Sequence, residues 1–193
     1  KRRADYPEAW NNLGNVYFAQ AEYSLARGAY REAIRARRDY AKAWLNLARA
    51  EYALQAQEPA QRALRRALRL APSAPAWRLL AQIDNEARRH HDALMAIEQA
   101  LASATESGEY LPIKATILRN LSRYEEALAI QQARVEEVPS DPDAWNELGL
   151  TLDYLNRLPE AEAAFNRAIT CLQQQGTMAK QATKVRGDAI RMV

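Results

Sequence analysis

The sequence predicts an all-α solenoid, a stack of antiparallel helix pairs with no β-sheet, and three observations carry that prediction. First, one string recurs: Trp10-x-x-Leu13-Gly14, Trp44-x-x-Leu47-Ala48, Trp77-x-x-Leu80-Ala81 and Trp145-x-x-Leu148-Gly149. The Trp residues are spaced by 34, 33 and 68, and Leu111 stands 34 residues after Trp77, where one Trp is missing. A fixed period near 34 means stacked copies of one supersecondary unit. Second, sixteen residues after each of these positions comes an Ala: Ala26, Ala60, Ala93, Ala127 and Ala161. Four residues on stand Tyr30, Leu64, Ile97, Gln131 and Phe165, and three further Ala33, Ala67, Ala100, Arg134 and Ala168. Small, large and small residues on one helical stripe let two helices approach, with the large one filling the space between them. Third, no segment alternates apolar and polar residues over a strand length.

On these residues the chain resembles the tetratricopeptide repeat family over nearly its whole length. The resemblance implies a right-handed superhelix forming a single domain over 1–193, with units at about 7–40, 41–73, 74–107, 108–141 and 142–175. The first and fifth units are the most typical. In the second, Glu51 takes the place that Tyr17 holds in the first, with Tyr52 beside it; in the third, Asp84 takes it. The fourth has Lys114 where Leu is usual and Pro112 early in its first helix, so that helix starts late. Pro72 and Pro139 end the second helices of their units. Asp141-Pro142-Asp143 suits a helix start, with a capping side chain ahead of a first-turn Pro. After Gly176-Thr177, the residues Met178, Ala182, Val185 and Ala189 recur at helical spacing. They predict a capping helix over 177–192, ahead of the alternative of a truncated sixth unit, because no Trp or Leu-Gly pair falls in register.

Composition bounds the function. Hydrophobic residues make up 48% of the chain and mean hydropathy is -0.50, and no apolar run reaches transmembrane length. No signal-peptide pattern opens the chain, but it begins Lys1-Arg2-Arg3 without Met, as a chain lacking an upstream segment would, so a soluble protein is expected and its compartment, cytoplasm or periplasm, is left open. Cys171 is the sole cysteine, so no internal disulfide forms and it reads as small apolar filler. The net charge of +3 hides a gradient: residues 1–90 carry 17 basic against 9 acidic side chains, and 91–176 carry 6 against 14. That pattern reads first as solvated faces, and second as opposite-charged ends through which copies self-associate. An excess of Arg over Lys with high Ala content suggests a GC-rich bacterial source.

No catalytic constellation is found, and no enzyme, cofactor or metal site is predicted. The six Gly do not cluster into a phosphate loop. His90 and His91 are adjacent, so on a helix they diverge by about 100° and hold no metal together. His90 instead falls where Tyr23 and Tyr124 stand in other units, a packing place in the family. Glu125-Glu126 and Glu136-Glu137 read as solvated faces. Arg-rich second helices (Arg27, Arg31, Arg35, Arg37, Arg38, then Arg62, Arg65, Arg66, Arg69) raise nucleic acid, but few aromatics lie between them for base stacking, and nucleic acid is set aside.

The resemblance instead implies protein–protein interaction through a concave groove. Residues one, five and eight after each Trp line that groove in the family. Here they are Asn11, Asn15, Phe18; Leu45, Arg49, Tyr52; Arg78, Gln82, Asn85; Pro112, Thr116, Arg119; and Asn146, Leu150, Asp153. Arg49, Arg78 and Arg119 are placed to fork onto carboxylates. Asn15, Gln82, Asn85 and Asn146 are placed to pair with peptide amides. Phe18 and Tyr52 are apolar anchors. The expectation is a scaffold or adaptor for an acidic or carboxylate-bearing peptide; the alternative is a substrate-recruiting or regulatory segment of a larger enzyme such as a glycosyltransferase or sulfotransferase. Two family modes fit in part only. Asn15 and Asn46 match the Asn places of the clamp for chaperone C-terminal carboxylates, but Asn11, Pro75 and Leu79 stand at its basic places. Asn12 and Asn46 match the Asn ladder of the O-linked N-acetylglucosamine transferase solenoid, whereas Leu79, Ile113 and Glu147 do not.

Overall fold

A computed structural model describes the backbone over residues 6–190 and side chains over 6–177. Among the described residues the chain is helical throughout: α1 (Pro7–Ala19), α2 (Tyr23–Ala36), α3 (Ala41–Ala53), α4 (Gln57–Leu70), α5 (Ala74–Glu86), α6 (His90–Ser103), α7 (Leu111–Asn120), α8 (Tyr124–Glu137), α9 (Pro142–Tyr154) and α10 (Leu158–Ile190). None of them is long and apolar enough to cross a membrane. The helices pack as hairpins, α1 on α2, α3 on α4, α5 on α6 and α9 on α10. The chain forms two compact units, Lys1–Ile117 and Leu118–Val193. In the first, α2 packs on α3 and α4 on α5, and the first helices α1, α3 and α5 also meet one another. In the second, α8 packs on α9.

Each hairpin turns on a left-handed residue that is not glycine. Ala21, Gln55, Arg88, Ser122 and Asn156 have φ of 60, 60, 60, 59 and 58°, and they recur with the same period as the Trp residues. Around each, two backbone bonds close the helix end. Ala21 N–H donates to Phe18 O at 3.0 Å and Glu22 N–H to Tyr17 O at 2.9 Å; Arg88 N–H donates to Asn85 O at 3.0 Å and Arg89 N–H to Asp84 O at 2.8 Å. This is the Schellman arrangement, in which the left-handed residue lets the last carbonyls find donors three and five residues on. A non-Gly residue there carries a Cβ penalty of about 1–2 kcal/mol, which the packed hairpin overrides.

Size complementarity holds each pair together. An ideal Cβ on Gly14 would meet the Tyr30 ring, at 2.6 Å from Cδ1 and 2.9 Å from Cζ, and one on Gly149 would meet Phe165 Cε1 at 2.6 Å. Where the first-helix residue is Ala (Ala48, Ala81), its counterpart on the second helix is aliphatic (Leu64, Ile97). Glycine thus accompanies an aromatic and alanine an aliphatic chain, one filled volume divided two ways. Ala26, Tyr30, Leu47, Leu64, Leu68, Leu79 and Ile83 belong to the core of the first unit, and Leu128, Val135, Leu148, Leu152 and Ala164 to that of the second. The recurrent Trp residues are only half-buried, and Trp44 and Trp145 donate Nε1–H to the carbonyls of Arg38 and Pro139, each at 2.9 Å.

Local signals explain the remaining boundaries. Asp141 Oδ1 accepts from Asp143 N–H at 3.0 Å and caps α9. Helix α7 has 10 residues where α1, α3, α5 and α9 have 13, and begins at Leu111 with Pro112 in its first turn. Cys171 is buried, its Sγ 3.5 Å from Pro139 O. One expectation needs correcting: α10 runs through Gly176-Thr177 unbroken, with Thr177 Oγ1 donating to Gln173 O at 2.9 Å. A lone Gly lowers helix propensity by only about 1 kcal/mol, and a hydroxyl bonded one turn back is compatible with the helix. The apolar face expected of a capping helix over 177–192, at Met178, Ala182, Val185 and Ala189, lies outside the described side chains.

Candidate functional site

In the first unit, α1, α3 and α5 present their Trp+8, Trp+5 and Trp+1 residues to one cavity of about 400 Å³. Phe18, Leu45, Arg49, Tyr52, Ala53, Pro75, Arg78, Leu79 and Gln82 line it. The helical geometry requires this: residues one, five and eight after each Trp fall on one stripe, about 100° round from the buried one. The floor is apolar, from Phe18, Leu45 and Leu79. The rim is cationic, with the Arg49 guanidinium 5.0 Å from the Phe18 ring centroid, an arrangement that fixes the cation without neutralising it.

Several arginines of either unit have a carboxylate. Arg31 pairs with the buried Glu51 at 2.8 Å, Arg89 with the buried Asp84 at 2.5 Å, Arg134 with Asp141 at 2.6 Å and Arg119 with Glu147 at 2.7 Å. Among the described residues Arg49 and Arg78 have no carboxylate partner, and Arg78 Nε is buried without a hydrogen-bond acceptor. Buried donors without acceptors are rare enough that each needs an explanation. Tyr52 is oriented from below, its hydroxyl donating to Glu86 Oε1. Burial first, then that bond and the Glu86 charge, push the Tyr52 phenol up to about 12. It therefore remains a neutral ring on the cavity wall.

The other groove candidates are placed differently. Asn11 is buried, and Asn46 Nδ2 donates to Asn11 Oδ1 at 2.9 Å and to Asn15 Oδ1 at 3.1 Å. Asn15 Oδ1 also accepts from Tyr30 O–H at 3.0 Å. These amides tie α1 to α3 and to α2. Asn85 Oδ1 lies 2.9 Å from His90 Nδ1, so His90 bridges the α5–α6 turn. Arg119 belongs to the second unit, on Glu147, and Asn146 is exposed on α9. The structure thus brings together Phe18, Arg49, Tyr52, Arg78 and Gln82 from the sequence-derived set.

Sequence reasoning missed the pairing of the acids at Trp+7 with second-helix side chains. Glu51 is met by Arg31, and by Arg27 at 3.7 Å; Asp84 is met by Arg89 and by Gln61 Nε2 at 3.0 Å. The signal was legible as an acid replacing Tyr in the two units whose partners supply Arg or Gln. Among the described residues no group of three or more His, Cys, Asp and Glu is placed to hold a metal.

Family models described as tetratricopeptide repeat match residues 7–40, 41–73 and 114–176, together more than half of the chain. The sequence matches no curated protein. Among solved structures, the fold is similar to MamA at a TM-score of 0.77 and 17% identity, over 86% of this chain and 97% of that one. It is similar to MamA 41-end from Desulfovibrio magneticus RS-1 at 0.82 and 15%, over 90% and 99%. It is similar to YrrB, described as a TPR protein with an unusual peptide-binding site, at 0.74 and 21%, over 92% of each. At these identities the likeness establishes the all-α superhelical fold class alone.

Proposed function

The chain belongs to the tetratricopeptide repeat family, whose fold is a protein-interaction scaffold, and from that premise we propose that its first unit binds a carboxylate-bearing peptide segment of a partner between Arg49 and Arg78. The observation that carries this reading is the contrast among arginines. Arg31, Arg89, Arg119 and Arg134 each have an acid, whereas the two that share the cavity of the first-helix face have none among the described residues. A carboxylate between two unpaired guanidiniums is held by charge-assisted bonds, and its apolar neighbour sits on Phe18, Leu45 and Leu79. Gln82 supplies an amide for the peptide backbone. A peptide-binding site in YrrB, a similar fold, agrees with this mode of action.

The test is affinity capture from lysate with wild type and two variants of verified helicity, Arg49→Glu/Arg78→Glu and Arg119→Gln. The proposal expects a partner lost by the double variant and retained by Arg119→Gln. A partner retained by the Arg49/Arg78 variant would overturn it.

A further inference from the structure

We propose that the first unit carries a second, separate binding site, a basic cleft between α2, α3 and α4 that takes an acidic protein segment bearing an apolar side chain. The cleft holds about 470 Å³. It uses a different stripe of α3 from the Arg49 cavity: Trp44, Leu47 and Glu51 rather than Leu45, Arg49 and Tyr52. Its floor is Ile34, Trp44, Leu47, Pro59 and Ala63, and around it stand Arg31, Arg62, Arg66 and Arg69.

Three features point to an occupant of this chemistry. The cations are in excess. Arg31 serves the buried Glu51, and Arg62 meets Glu58 at 3.5 Å with both side chains largely exposed, a pair of little strength. Arg66 and Arg69 have no acidic partner among the described residues, although Arg66 is half-buried. Arg62, Arg66 and Arg69 recur at helical spacing on one face of α4, so their forks converge instead of dispersing. Finally, the floor is apolar and fixed, because the Trp44 indole is anchored on Arg38 O. Phosphates need only the cations, whereas an apolar floor rimmed by guanidiniums complements acidic residues flanking a Leu, Ile or Phe. The one aromatic lining the cleft, Trp44, is half-buried and anchored as floor, which offers no run of rings for successive bases and favours protein over nucleic acid.

The test is fluorescence anisotropy with a short labelled peptide of Asp and Glu around a central Leu-Leu pair. A Gly/Ser/Asn peptide and single-stranded oligo-dT serve as comparison ligands. Arg62→Gln/Arg66→Gln/Arg69→Gln keeps the aliphatic stems over the floor and removes the charges. Arg69→Glu alone, at an exposed position, is the milder variant that leaves packing intact. The proposal expects salt-sensitive binding of the acidic peptide that persists in an Arg49→Gln/Arg78→Gln background, becomes about tenfold or more weaker when the triple substitution is added to that background, and is weakened there by Arg69→Glu. Loss only in the Arg49/Arg78 variant would place the probe in the other cavity and overturn the proposal, while leaving the proposed function standing. Oligo-dT bound at least as tightly through the α4 arginines would overturn it in favour of nucleic acid. Salt-sensitive self-association in sedimentation, abolished by the same substitutions, would overturn it in favour of a second copy of the chain.

Discussion

Replacing Gly14 by Ala tests how the hairpins are held together. The added Cβ would sit 2.6 Å from Tyr30 Cδ1 and 2.9 Å from Cζ, against an optimum of roughly 3.5–4.0 Å between carbons. The ring has nowhere to go: Tyr30 is 2% exposed and its hydroxyl is bonded to Asn15. Overpacking of this kind costs about 1–3 kcal/mol, and the better helix propensity of Ala returns about 1 kcal/mol. The net expectation is a loss of about 0–2 kcal/mol, or up to roughly 4–8 °C in a chain of this size. Adding Tyr30→Leu recreates the Ala48–Leu64 pair of the second repeat. The two changes should therefore be coupled, the double variant being at least about 1 kcal/mol more stable than the sum of the singles. Urea unfolding followed by far-UV circular dichroism measures all four corners of the cycle. Additive effects, or a Gly14→Ala protein more stable than wild type, would refute the size-complementarity argument. Gly149→Ala should cost less, because Phe165 is only half-buried and its ring can turn outward.

Other predictions concern turns, ionisation and buried charge. Gln55→Gly and Arg88→Gly, at φ of 60°, should each raise stability by about 0.5–1 kcal/mol in urea unfolding, and Asn156→Gly by less, since Asn tolerates the left-handed region. The Tyr52 phenol is raised to about 12, so its contribution is complete below the ordinary tyrosine range near pH 10 and is lost as pH rises towards 12. Ultraviolet titration of wild type against Glu86→Gln should show one phenol ionising at lower pH in the variant. Arg31→Ala leaves the buried Glu51 with Arg27 at 3.7 Å and should destabilise by about 2 kcal/mol, whereas Glu51→Leu should be nearly neutral in the same unfolding assay.

The repeat was legible because its determinants are local. Trp, Leu and small residues at fixed spacing set which stripes face inward, and the period gave the helix pairs. Groove residues followed from the same geometry, which is why Phe18, Arg49, Tyr52, Arg78 and Gln82 meet in one cavity. What spacing could not reveal was which polar groups satisfy each other. Asn11 and Asn15 sit on the groove stripe by count, yet the Asn46 amide reaches both from the next hairpin. Arg119 has the right register, yet Glu147 faces it from α9. The hairpin turns were hidden for a different reason. Left-handed positions are recognised in sequence by Gly or Asn, and here Ala, Gln, Arg and Ser hold four of the five, so tertiary packing overrode the local preference. Likewise Gly176-Thr177 reads as punctuation, but the helix hydrogen bonds around it persist.

The central claim is that Arg49 and Arg78 together receive a carboxylate, and isothermal titration calorimetry tests it most directly. The peptide mapped from the captured partner would be titrated in its acidic form and with the acid replaced by the isosteric amide, into wild type and into Arg49→Gln/Arg78→Gln. The predicted result is a preference of wild type for the acid of at least about tenfold, close to 1.4 kcal/mol, which disappears in the variant. A preference for the acid that survives loss of both arginines would contradict the account.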